Sequence, residues 1–133
     1  MKNYLTLPFC LIAMIFFPNC KKGPGDGGRA SITGKIYSVN YDAKMQIPMD
    51  SGYIGGQKVY IIFGDETAVA HSQDSNNDGA FSFEYLREGK YTVYVFSKIG
   101  NGQLDSAVVQ SAEITGKKQV LELSDFNIKT NKN

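Results

Sequence analysis

From Ala30 onward the apolar side chains recur at every second position, not every third or fourth. That period predicts strands, because alternate residues of a strand point to opposite faces. Ile32, Gly34 and Ile36 share one face, and Lys35 and Tyr37 the other. After a long polar interval, Asn40 to Gln57, comes Val59-Tyr60-Ile61-Ile62-Phe63 as a second strand. Gly64-Asp65-Glu66 turns the chain, and Thr67 to Ser72 reads as a third, weaker strand. The run D-S-N-N-D-G, Asp74 to Gly79, is a dense turn signal. Phe81 and Phe83 share a face of the fourth strand, and Tyr91, Val93 and Val95 a face of the fifth. Ser106 to Ile114 and Val120 to Ile128 supply the sixth and seventh. Seven short strands separated by turns predict an all-β, seven-stranded antiparallel β-sandwich, with no helical stripe from residue 30 on.

The first residues follow a different rule. Leu5 to Phe17 is an apolar run without a charge, preceded by Lys2 and followed by Pro18-Asn19-Cys20. Such a run has the length of a secretory core and falls short of the ~20 residues that span a bilayer. A cysteine directly after the apolar run resembles the lipobox of bacterial lipoproteins, with Asn19 where that family usually has a small residue. C-K-K-G after the cleavage point is similar to lipoproteins of the Bacteroidetes type. The resemblance implies that residues 1–19 are a signal peptide and that Cys20 carries the lipid. It also implies a protein of the cell envelope, held to a membrane on the periplasmic side or at the cell surface. Lys21 to Arg29, K-K-G-P-G-D-G-G-R, then reads as part of a flexible linker, 20–29. The sandwich occupies 30–129 and a short tail 130–133.

A second resemblance lies in the domain itself. Asp78-Gly79-Ala80-Phe81-Ser82-Phe83-Glu84-Tyr85-Leu86-Arg87-Glu88-Gly89-Lys90-Tyr91-Thr92-Val93 resembles the pattern D-G-x-F-x-F-x-x-L-x-x-G-x-Y-x-V of carboxypeptidase regulatory-like domains, also described as prealbumin-like (transthyretin-like) sandwiches. Ile32-x-Gly34-x-Ile36 and Pro48 followed by Val59-x-Ile61 match that family's opening strands, although the Asn40–Gln57 interval is longer than usual there. The resemblance implies an accessory or structural module without catalysis.

Charge and cysteine content narrow the partners. Removing Lys2 with the signal peptide leaves 13 basic residues, from 14, against 13 acidic ones. A neutral chain carries no net electrostatic footprint for nucleic acid or for an anionic membrane surface. The two cysteines, Cys10 and Cys20, both precede the domain, so neither a disulfide staple nor a Cys-ligated zinc belongs to the domain. The single histidine, His71, lies beside Ser72 and Gln73 on a weak strand and reads as a surface residue. A Lys–Asn isopeptide needs a buried lysine, and Lys35 and Asn127 both fall on outward positions.

Two candidate sites remain. Asp74, Asn76 and Asp78, with Gly79, fit the first half of a calcium loop, D-x-N-x-D-G, but position 12 of that loop is Tyr85 and Glu84 is one residue short. The same run is also a hairpin turn stabilised by its own Asp and Asn side chains. The second site is an apolar outer face. If the strands of Ile61 and Val93 are neighbours, Tyr60, Ile62, Tyr94 and Phe96 lie together on the outside. They then form either a patch for an envelope protein partner or a surface covered by the Asn40–Gln57 interval. The sequence therefore predicts a non-catalytic, lipid-anchored module with a structural or protein-interaction role, or else a calcium- or ligand-binding accessory domain.

Overall fold

A computed structural model describes residues 22–131; the segment 1–19 and Cys20, read above as signal peptide and lipid attachment point, lie outside the described residues. The described residues form strands and turns, with no helix. The strands are β1 (Asp26–Tyr41), β2 (Pro48–Tyr53), β3 (Lys58–Phe63), β4 (His71–Asp74), β5 (Ala80–Leu86), β6 (Gly89–Ile99), β7 (Leu104–Ile114), β8 (Val120–Glu122) and β9 (Phe126–Asn131). They make two sheets, and the alternating apolar residues of both sheets face one another. Ile32 and Ile36 of β1, Phe81 and Phe83 of β5, and Phe126 and Ile128 of β9 pack with Val59 and Ile61 of β3 and with Tyr91, Val93 and Val95 of β6.

The first sheet is organised around β1, whose 16 residues extend roughly 50 Å. One side of β1 pairs antiparallel with β5 over its first part and with β2 over its last. The other side pairs parallel with β8 and then β9. The second sheet runs β4-β3-β6-β7, entirely antiparallel. The layers are tied where the Ser97 hydroxyl accepts the Lys129 amide at 2.9 Å.

Among the described residues nine strands replace the expected seven, and the first sheet is mixed where an antiparallel fold was expected. The additional strand is β2, which falls inside the polar interval. Its side chains are largely exposed, so no apolar alternation marks it. Pro48 is tolerated as its first residue because that position needs no ladder donor. The expected seventh strand is divided at Leu123–Asp125, and the last part of it extends the domain to Asn131. The weak third strand shrinks to four residues beginning at His71.

A bulge explains why Leu86 reaches the core although it breaks the alternation of Phe81 and Phe83. The β1–β5 register shifts by one residue between Ile32↔Phe83 and Ala30↔Leu86. Tyr85 takes up the extra residue at φ 58° and is turned out, 71% exposed.

The largest difference concerns the glycine-rich stretch read as a linker. Strand β1 begins at Asp26, within it. A Cβ on Gly28 would overlap the Leu86 carbonyl, so here glycine permits a close approach of two backbones. The stretch is further held by Arg87. Its Nε donates to the Gly23 carbonyl at 2.8 Å, and its Nη1 donates to the Asp26 carbonyl.

Candidate functional site

The outer face of the second sheet follows from the alternation of β3 and β6. With Val59, Ile61, Tyr91, Val93 and Val95 turned inward, Tyr60, Ile62, Tyr94 and Phe96 must face out. The register sets Tyr60 directly opposite Tyr94, and their rings stack at 4.9 Å with 15° between planes. Phe96 meets both edge-on, at 5.6 Å from each. All four expected residues are therefore on one surface. The sequence reading missed Val109 of β7, which lies opposite Tyr94 and is 53% exposed. Its strand has no strict apolar alternation to single it out. Phe96 is 40% exposed, while Tyr60, Ile62 and Tyr94 are half-buried. Two ion pairs flank the cluster, Lys58–Asp74 at 3.1 Å and Lys98–Asp105 at 3.0 Å. The Asn40–Gln57 interval does not cover it, because β2 pairs with β1 in the opposite sheet.

The D-S-N-N-D-G run is a turn knitted into its surroundings. The Asn76 Oδ1 accepts the amides of Asp78 at 2.9 Å and Ala80 at 3.0 Å. Ser75 is buried; its hydroxyl donates to the Ile54 carbonyl at 2.7 Å and accepts the Gln57 amide at 3.1 Å. Asp74 faces Lys58, and Asp78 is exposed. Gly79 turns at φ 76°, and a Cβ there would press on the Ile36 carbonyl at 2.8 Å. The three expected calcium ligands are thus close in the chain, with the Asn76 oxygen already taken by two backbone donors.

His71 is exposed, and its Nε2 lies 2.7 Å from the Asp26 carboxylate. Its ring meets the Phe63 ring edge-on at 5.6 Å. That pairing joins β4 to the start of β1, and Asp26 was not foreseen as its partner. Lys35 is exposed, with Nζ 5.2 Å from the centre of the Tyr53 ring, and Asn127 is also exposed.

A groove of about 1050 Å³ opens at the end of the sandwich where β1 begins. Lys22, Arg29, Arg87, Lys117 and Lys118 line it, together with Glu88 and Glu113. Tyr91, bonded through its hydroxyl to the Arg87 carbonyl, is buried, and burial pushes its phenol above the usual value. The Gly25 amide donates to this phenol oxygen at 2.8 Å.

Fold and surface together define an all-β, two-layer module with an aromatic outer face and a cationic end. No family model matches the chain, and no curated protein matches it.

Proposed function

We propose that this chain is a non-catalytic, lipid-anchored module of a bacterial cell envelope that presents the Tyr60–Tyr94–Phe96 face to another envelope protein. The observation that carries the reading is the stacked aromatic cluster of β3 and β6, with Phe96 exposed and β2 of the Asn40–Gln57 interval paired into the opposite sheet. Contiguous apolar clusters of this kind mark partner sites on soluble domains, and aromatic residues dominate the energetic centres of such interfaces. The anchor is supported by the apolar run Leu5–Phe17 ending at Cys20. A single acyl chain binds reversibly, and several chains hold firmly at ~0.8 kcal/mol per buried CH₂.

The domain belongs, in this reading, with carboxypeptidase regulatory-like, prealbumin-like sandwiches. The burial of Phe81, Phe83, Leu86, Tyr91 and Val93, the apolar positions of the resemblance, supports it.

The experiment is a pulldown from envelope extract with the full lipidated chain, comparing wild type with an Ile62→Ser/Tyr94→Ser variant. The expected result is a partner retained by wild type and lost by the variant, which melts lower for want of the Tyr60–Tyr94 stack yet stays folded at the temperature of the pulldown. Unchanged binding with a destabilised fold overturns the interaction role. Lipid attachment is tested separately: Cys20→Ser must lose membrane partitioning after signal processing.

A further inference from the structure

The near balance of 14 basic against 13 acidic residues conceals where the cations sit. At the end where β1 begins, the groove wall carries Lys22, Arg29, Arg87, Lys117 and Lys118 against Glu88 and Glu113. Of the other carboxylates at this end, Asp26 is bonded to His71, Asp65 lines a separate recess with Lys90 and Glu113, and Glu66 is exposed beside Asp65 in the same turn, outside the groove wall. The rim is also rigid. The Gln119 Oε1 accepts the amides of Thr115 at 2.8 Å and Gly116 at 3.1 Å, fixing the turn that exposes Lys117 and Lys118. The carbonyl of the same Gln119 accepts the Ser31 amide at 2.9 Å, two residues beyond Arg29.

Chain connectivity places this rim. Arg87 holds the Gly23 carbonyl at 2.8 Å, and Tyr91 holds Gly25. From Cys20 to Gly23 the chain spans at most about 10 Å, close to the ~8 Å over which charge acts at physiological salt. A domain on so short a lead cannot stand away from the surface that holds its lipid.

We infer that the β1 end of the sandwich seats on the anionic headgroups of the membrane, with Lys22, Arg29, Lys117 and Lys118 as the contacting cations. The inference rests on the lipidation of Cys20 proposed above. The long axis of β1 then carries the opposite end, the Asp42–Ile47 turn, away from the membrane, and the aromatic face stands on the side of the domain.

The test is amine-acylation footprinting of the full lipidated chain, after mass spectrometry of the Cys20 peptide has established the acyl groups. A peptide without them overturns the anchoring reading itself. With the lipid in place, Lys117 and Lys118 should react about fivefold or more slowly in phosphatidylglycerol-containing vesicles than in neutral detergent, each basic residue near such a surface being worth about that factor. Lys44, in the distal turn, should react at the same rate in both. Phosphatidylcholine vesicles should give little protection. Lys117 and Lys118 as reactive as in detergent, or equal protection in both vesicle types, overturns headgroup recognition while leaving the anchor standing.

Discussion

The phenol of Tyr91 accepts the Gly25 amide at 2.8 Å and donates to the Arg87 carbonyl at 2.7 Å, binding the first turn of the described chain to β6 across 66 residues. Tyr91 is buried, so its oxygen is the partner that water cannot replace. Tyr91→Phe should lower stability by about 1–3 kcal/mol, the cost of leaving a buried donor unmet. Denaturant titration measures the loss, and hydrogen exchange at Gly25 should accelerate in parallel.

The same residue predicts an alkaline limb. Burial raises the native Tyr91 phenol above 10.0, whereas the unfolded chain titrates near that value. The native state therefore holds its proton longer, and its advantage is complete below about pH 10. It is lost as pH rises through the native value. Tyr53 is also raised, by its hydrogen bond to Asp125, and adds a share of its own. Tyr91→Phe should flatten the stability profile above pH 10 without abolishing it. An unchanged slope would show that Tyr91 does not titrate differently in the two states.

Tyr60 and Tyr94 face each other across β3 and β6, stacked at 4.9 Å. A double-mutant cycle with Tyr60→Ala and Tyr94→Ala should give a coupling of about 0.5–1.5 kcal/mol, the value of an aromatic pair beyond its burial. Because the face is half-exposed, each single substitution should cost less than truncation of a core aromatic such as Phe126, about 3–5 kcal/mol. Chemical denaturation of the four proteins measures both quantities.

What the sequence revealed depended on where burial is one-sided. Val59–Phe63 and Tyr91–Val95 each bury one face, so their alternation disclosed the strands, their inward residues and the outer aromatic face together. Strand β2 buries almost nothing and is held by backbone pairing to β1, which leaves no apolar period to read. The parallel pairing of β8 and β9 was hidden for another reason: direction is a property of topology, and alternation is the same either way. The glycines of 23–28 misled because glycine serves two purposes. Composition suggests flexibility, but Gly28 is small so that β1 can approach Leu86. The cationic groove stayed hidden because Lys22, Arg87 and Lys118 come together only after folding.

Gly28 tests that second role. Its Cβ would meet backbone, which cannot rotate aside as a side chain can. Gly28→Ala should therefore cost about 3 kcal/mol, the upper part of the overpacking range. The loss should appear first as faster exchange of the Arg87 amide, which donates to the Gly25 carbonyl at 2.8 Å. A neutral substitution would mean that this stretch is the loose linker its composition suggests.

Asn76 decides what the D-S-N-N-D-G turn is for. Its Oδ1 receives the Asp78 and Ala80 amides at 2.9 and 3.0 Å, so the oxygen a calcium ion would need already has two donors. A neighbouring requirement is also engaged, since Asp74 faces Lys58 at 3.1 Å. Asn76→Ala should destabilise the domain by about 1–2 kcal/mol through the loss of those two bonds. If they are the whole role of Asn76, the loss is the same with and without millimolar calcium. Thermal unfolding of wild type and variant under both conditions makes the comparison. A melting temperature raised by calcium in wild type alone would show instead that the ion displaces the backbone donors and that the turn is a metal loop.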